Sequence, residues 1–172
     1  VARYETIAMA FWLFIAFLLV LRLSELLLAR RNERWLLRHG AVEYGRAHYR
    51  YIVLLHVLFF LSLVTEHLFN PTESFSVTLL ALYFLLLAFK AWAVLSLGRF
   101  WNTRIYRIPG CLLVRKGPYR FMKHPNYIAV VAEIALIPLI FHLYVTAILF
   151  SLLNAAVLHV RIREENKVLK SG

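Results

Sequence analysis

Eleven residues, GPYRFMKHPNY from Gly117 to Tyr127, gather the side chains of this sequence best able to do chemistry. They combine a Gly-Pro turn, two tyrosines, Arg120, Lys123 and a His-Pro pair directly ahead of an apolar run. Pro125 lacks a backbone donor and suits the first turn of a helix. The stretch therefore predicts a polar loop that ends at a helix N-terminus, where free N–H groups can hold an anionic or polar ligand group. His124 titrates near neutrality, so it can donate or accept at this position. The same residue types also suit a plain basic loop beside a membrane.

A second constellation lies near the C-terminus. If the chain from Leu143 onward is one helix, then Ser151, Asn154, Leu158, Arg161 and Glu165 share a face at spacings of three and four. Lipid-facing positions are apolar, so this stripe faces protein or a cavity. Arg161 and Glu165 end it one turn apart, and an exposed Arg–Glu pair on a fraying helix is the competing account. Glu133 follows Asn126 by seven residues and points toward the same region, either as a substrate-binding group or as a partner of Lys90 or Arg22. His56 and His159 read as helix-packing groups, and Trp35, Phe100, Trp101 and Tyr106 as interfacial aromatics.

The elements that must position these groups are membrane spans. Of 172 residues, 62% are hydrophobic and 17% charged, with a mean hydropathy of +0.68. Soluble domains are nearer half apolar and a quarter charged. Five apolar runs are expected to cross: Ile7–Ala29, Tyr51–Leu68, Phe75–Leu97, Ile128–Phe141 and Leu143–Val160. The first is long and lacks a small-residue cleavage site, so it reads as a span and not as a signal peptide. The expected fold is thus all-α and polytopic, one membrane-embedded domain over residues 1–172. Residues 1–97 supply three spans; residues 98–172 supply a polar loop, a helical hairpin and the C-terminal helix. The segment after the first span is expected to be a basic loop with a short interfacial helix, broken at Gly40 and Gly45.

A net charge of +11 would suggest nucleic acid in a soluble chain. Here the cations crowd three links: after spans one, three and five. The links at Asn70 and His142 hold none, and the N-terminus holds only Arg3. Lys and Arg accumulate on cytoplasmic loops, which puts the N-terminus outside and the C-terminus in the cytoplasm, with GPYRFMKHPNY and RIREE on one side. One cysteine, Cys111, excludes an internal disulfide, and no CxxC or HxxxH spacing offers a metal site.

LLVRKGPYRFMKHPNYIAVVAEI followed by VRIREENKVL resembles the isoprenylcysteine carboxyl methyltransferase family of integral membrane enzymes, over about Leu97 to Leu169. The N-terminal RLSELLLARRNERWLLRHGAVEYGRAHY is similar to a small bacterial branch that O-methylates alkylpyrones. The resemblance implies S-adenosylmethionine as cofactor, in a cytoplasmic site without a glycine-rich nucleotide fold. It would place Cys111, Leu112, Leu113, Val114, Tyr119, His124, Pro125, Asn126, Tyr127 and Glu165 at the cofactor. Arg161 would face the substrate, with Asn154 and Glu133 as further substrate-side residues, and Arg161 and Glu165 would form the catalytic pair.

The family pattern has an arginine, three residues, then usually two glutamates. Here the second is Asn166 and an extra Glu164 precedes the pair, so Glu165 is chosen by spacing. The implied partners are a lipophilic small molecule and membrane lipids, in a bacterial plasma membrane. Prenylated protein is the less suited substrate, because the extra N-terminal spans and longer tail of eukaryotic-type members are absent.

Three other readings stand beside this one. A phospholipid or amine N-methyltransferase would need Arg161 less. An NADPH-dependent sterol-type reductase would share the HPNY segment, and a lipid-binding scaffold would need neither Arg161 nor Glu165.

Topology is directly testable. In a Cys111→Ser background, single cysteines at Asn70 and His142 should be labelled from outside, and those in the Gly40 and Gly117 loops only from the cytoplasmic side. Finding the Gly117 loop and the C-terminus on opposite faces would remove the shared-site argument.

Overall fold

A computed structural model describes residues 2–170, with side chains from Glu5 to Val168. The Arg3 side chain and the Ser171–Gly172 end, which enter the charge argument above, lie outside the described residues. The chain runs α1 (Ala2–Arg38), β1 (Val42–Tyr44), α2 (Arg46–Phe69), α3 (Val77–Leu97), β2 (Ile105–Arg107), α4 (Pro125–Ile140) and α5 (Tyr144–Lys170). Single 3₁₀ turns lie at Gly98–Phe100 and Gly117–Arg120.

The five expected apolar runs are five helices, and four are long and apolar enough to cross a membrane. The fourth in order, α4, has 16 residues, about 24 Å of rise against a hydrocarbon core of about 30 Å. Its ends explain its length. Pro125 opens it, and Pro138 lies in its last turn. His142 then takes the left-handed conformation at φ 57°, and Leu143 N–H donates back to Pro138 O at 3.0 Å. Glu66 secures the start of α5 by accepting from Val145 N and Thr146 N at 3.0 and 2.7 Å.

The basic segment after the first span differs from expectation. RRNERWLLR contains no glycine or proline, so α1 continues unbroken to Arg38 and no separate interfacial helix forms. Beyond it, β1 pairs antiparallel with β2, Val42 opposite Arg107 and Tyr44 opposite Ile105. The two strands are three residues each and some sixty residues apart, too short for an alternating pattern to announce them. The ribbon draws residues 98–107 across the end of α1. Asn32, buried, donates to Trp101 O at 2.7 Å, and Asn102 donates to Ala29 O at 2.9 Å.

Aromatic and aliphatic side chains of all five helices fill the centre, among them Phe11, Phe59, Tyr83, Ile134 and Phe150. Leu13, Leu85, Leu95, Ile148 and Leu152 stay exposed, as surfaces turned to lipid do. Within this apolar setting four charges meet. Lys90 Nζ donates to both oxygens of Glu133 at 3.0 Å and pairs with Glu25. Arg22 reaches Glu25 at 2.8 Å and Glu133 at 3.1 Å. Two cations and two anions therefore cancel across α1, α3 and α4, which is how charge is tolerated at membrane depth.

Removing one member leaves the others uncompensated. Glu133→Gln should cost about 3–5 kcal/mol, read as a lower melting temperature in detergent. The double change Lys90→Met with Glu133→Leu should be less damaging than Glu133→Gln.

Candidate active site at the basic end of the bundle

The N-terminus of α4, the C-terminal part of α5 and the segment 98–107 converge at the end of the bundle where the cations cluster. Tyr127, in the first turn of α4, links the two sequence constellations. Its hydroxyl donates to Glu165 Oε2 in a short bond and accepts from Arg161 Nε at 2.8 Å. Arg161 Nη2 donates to Thr103 O at 2.6 Å, and the guanidinium lies 5.3 Å from the centre of the Tyr127 ring. Both hydrogen-bond partners of Arg161 are neutral, and no ion pair to Arg161 occurs among the described residues.

Glu165 is differently placed. His124 Nδ1 lies 3.4 Å from Glu165 Oε2, and its Nε2 lies 3.3 Å from Asn166 Oδ1. The His124 ring also stacks on Tyr127 at 5.2 Å. The neighbouring Glu164 turns away and pairs with Lys167 at the surface.

Two hollows adjoin this network. A cleft of about 540 Å³ is bounded by Tyr119, His124, Asn126, Tyr127, Arg161 and Glu165 on one side. Phe100, Trp101 and Tyr106 stand on the other. A second cavity of about 610 Å³ runs inward past Asn154, Val157 and Leu158 to Arg22, Glu25 and Lys90. Trp101, Asn126, Tyr127 and Arg161 line both, so they form a shared partition. In that partition Asn126 Oδ1 and Trp101 Nε1 are buried without a hydrogen-bond partner. Orphaned buried polar atoms are uncommon, and these two border both hollows.

Tyr119, His124, Asn126, Tyr127, Arg161 and Glu165 are thus brought around one cleft, and Asn154 lines the inner cavity. Pro125 is buried at the first position of α4, where it shapes the backbone. Glu133 lines neither hollow; it sits one layer back, binding Arg22 and Lys90. Cys111, Leu112, Leu113 and Val114 lie apart from the cleft. Leu112 is 92% exposed, while Leu113 and Val114 border an adjoining open groove beside Phe100.

Thr103 and the partition role of Trp101 are not visible in the sequence. They follow Gly98 without periodicity, and only the ribbon and Asn32 bring them here. Among the described residues no group of three or more His, Cys, Asp or Glu gathers as a metal site.

The architecture is that of a multi-pass membrane protein with a two-chambered polar site at one end of its bundle. Residues 77–171, more than half of the chain, match the isoprenylcysteine carboxyl methyltransferase (ICMT) family. The chain is 48% identical over 162 residues to the uncharacterized protein YpbQ of Bacillus subtilis, covering 93% of this chain and 96% of that one. An uncharacterized protein of Haemophilus influenzae is 25% identical over 160 residues, covering 90% and 91%. No solved structure matches. The chain belongs to the ICMT family, which makes it a membrane methyltransferase by family. The matched residues contain α3 to α5 with the whole Tyr119–Tyr127 stretch, Arg161 and Glu165.

The His124–Glu165 contact carries a pH signature. His124 has its pKa raised above the ordinary imidazole value by its hydrogen bond to Glu165, against the opposing effect of burial. The stabilisation from that pair is complete below the ordinary value of about 6.5 and is lost as pH rises through the raised one. Titration of labelled histidine by NMR should show the elevated value, and Glu165→Gln should bring it down. An unshifted His124 in the wild type would break the assignment.

Proposed function

We propose that this protein transfers a methyl group from S-adenosylmethionine to an anionic oxygen of a lipophilic acceptor. The supporting observation is Arg161: a cation on the partition between two hollows, held by neutral partners only, with Nη1 making no hydrogen bond among the described residues. A guanidinium so placed retains charge and donors for a bidentate grip on a carboxylate or a hydroxypyrone-type enolate. Such an oxygen is already ionised near neutral pH. Transfer then requires alignment across the partition and no strong base.

The outer cleft suits the cofactor. Glu165 and Asn126 Oδ1 are acceptors for amino and hydroxyl donors, and burial pushes the Tyr119 phenol above its ordinary pKa, so it stays a neutral donor. Bound there, S-adenosylmethionine would supply a methyl group made electrophilic by its sulfonium, and the aromatic faces of Phe100, Trp101 and Tyr127 suit such a cation. Glu165 and His124 hold Tyr127 in place, and Tyr127 in turn orients Arg161. The cations at this end argue for a cytoplasmic opening, which is where a polar cofactor would enter. The inner cavity is walled by Ile52, Leu55, Val130 and Val157, which suits an oily acceptor arriving laterally from the bilayer.

Two measurements test this reading. Calorimetry on detergent-solubilised protein should show S-adenosylhomocysteine binding. Tyr119→Ala, His124→Ala or Glu165→Ala should each weaken it about tenfold or more, the loss of one charge-assisted contact. A labelled methyl group from S-adenosylmethionine should pass to a lipid-soluble acceptor, and Arg161→Ala should abolish that transfer with cofactor affinity kept within a few-fold. Arg161→Lys, which retains charge but not the planar fork, should be impaired. Full activity in both Arg161 variants would favour an amine acceptor, and binding of NADPH in place of S-adenosylhomocysteine would favour reduction.

A further inference from the structure

The four intramembrane charges are not equally enclosed. Lys90 and Glu133 are nearly sealed, with side chains 4% exposed, whereas Glu25 and Arg22 keep 19% and 25%. Arg22, Glu25 and Lys90 all line the inner cavity, and Glu133 does not. The cluster thus turns one ion pair, Glu25 with Arg22, toward the space that Arg161 closes at its other end. Each Glu25 oxygen has one partner, Lys90 or Arg22, and a carboxylate can accept more.

His56, on α2, stands on the same cavity. Its Nδ1 lies 2.8 Å from Ile52 O, and a carbonyl can only accept. Nδ1 therefore carries the proton, which leaves Nε2 of the neutral ring as a bare acceptor.

Depth follows from helix rise. Tyr127 and Glu133 are six residues apart on α4, about 9 Å along its axis. Asn154 and Arg161, seven apart on α5, span about 10 Å. The cavity therefore has a cationic pole at Arg161 and, about 9 Å deeper, a neutral but strongly dipolar pole rich in acceptors. Ile52, Leu55, Val130 and Val157 wall the length between them.

A hydrocarbon chain pressed against the deep pole would strip water from Glu25 and Arg22 and return no hydrogen bond. A hydroxyl would restore one. Arg22, Glu25 and His56 also precede residues 77–171, the part that matches the ICMT family.

We propose that the inner cavity reads two groups on its acceptor. Arg161 takes the anionic oxygen, and the pole of Glu25, Arg22 and His56 takes a hydroxyl or similar hydrogen-bond donor about 9 Å further along the molecule. The acceptor class is then a polar-substituted amphiphile, and a simple fatty acid is a poor fit. This rests on the reading of Arg161 as the residue that holds the acceptor's anionic oxygen.

The experiment uses the full chain in lipid nanodiscs and reads binding without methyl transfer. A fluorescent fatty acid is displaced by straight-chain carboxylic acids of one length, either plain or carrying a single hydroxyl walked along the chain. One hydroxyl position should bind about tenfold tighter than the plain acid, as a hydrogen bond to a charged group implies. That advantage should fall to within about twofold in His56→Phe and in Glu25→Gln. His56→Phe keeps an aromatic ring, and among the described residues the hydrogen bond it loses is to its own helix, so it separates recognition from folding.

A flat profile along the chain would overturn the proposal. So would an advantage that persists in His56→Phe, or failure of every acid to bind. The assay contains no methyl donor, so it stands or falls apart from S-adenosylhomocysteine binding, whose absence would sink only the methyl-transfer reading.

Discussion

Tyr127 receives a hydrogen bond from Arg161 and gives one to Glu165, and the site depends on that single hydroxyl. It separates a guanidinium from a carboxylate that could otherwise pair directly. A direct Arg161–Glu165 bridge would neutralise both groups and leave neither for a ligand. With the phenol interposed, the carboxylate has His124 beside it, an imidazole whose pKa it raises, while Arg161 keeps neutral partners. In a medium of low polarity a charge held by neutral dipoles attracts an anion strongly, because little water competes for it. The geometry therefore preserves a charge where most proteins would cancel one.

That arrangement follows from the inequality of the last two helices. α4 ends and α5 begins at one tight turn around His142, but α4 has 16 residues and α5 has 27. The shorter helix stops below the level that α5 reaches, and the first-turn N–H groups of α4 open into the recess this leaves. Arg161 and Glu165 project from the part of α5 that outruns its partner. Segment 98–107 roofs the recess, held by the ribbon to β1 and by Asn32 and Asn102 to α1. A full-length α4 would fill the recess with helix. A proline at its first position and a left-handed residue just past its end set the length that leaves the recess open.

What could be read from the residues alone follows the same physics. Apolar runs announce helices because lipid demands internal hydrogen bonding, and α2, α3 and α5 lie close to where hydropathy puts them. Spacing within one helix was equally legible, as with Arg22 and Glu25, or Arg161 and Glu165. The extension of α1 to Arg38 was hidden because charged residues look like loop in a hydropathy reading, although they are good helix formers. Contacts that join distant segments left no local trace. Thr103 meets Arg161 only because two three-residue strands pair, whereas the pairing of Glu133 with Lys90 or Arg22 was one of the two roles its residue type suggested at membrane depth. In the segment Cys111–Val114, Leu113 and Val114 line an open groove beside the cleft and Leu112 is exposed, a placement that no local pattern announces.

The two hollows differ in what they can admit, and the difference comes from charge placement more than from size. Around the outer cleft Lys123, Arg104 and Glu165 present charges of both signs beside the His124 ring, a lining that suits a ligand with several ionic and hydrogen-bonding groups. The inner cavity is apolar along its walls and polar only at its ends, so a ligand that fills it has to be oily in the middle. Its deep end balances two cations with two anions, and that end favours a dipole over an ion. Its shallow end carries Arg161, whose hydrogen-bond partners are neutral. An anionic molecule with a long apolar body therefore has one favourable orientation in this space, with its anion at the partition. The same orientation brings the anion against Tyr127, Trp101 and Asn126, the wall it shares with the outer cleft.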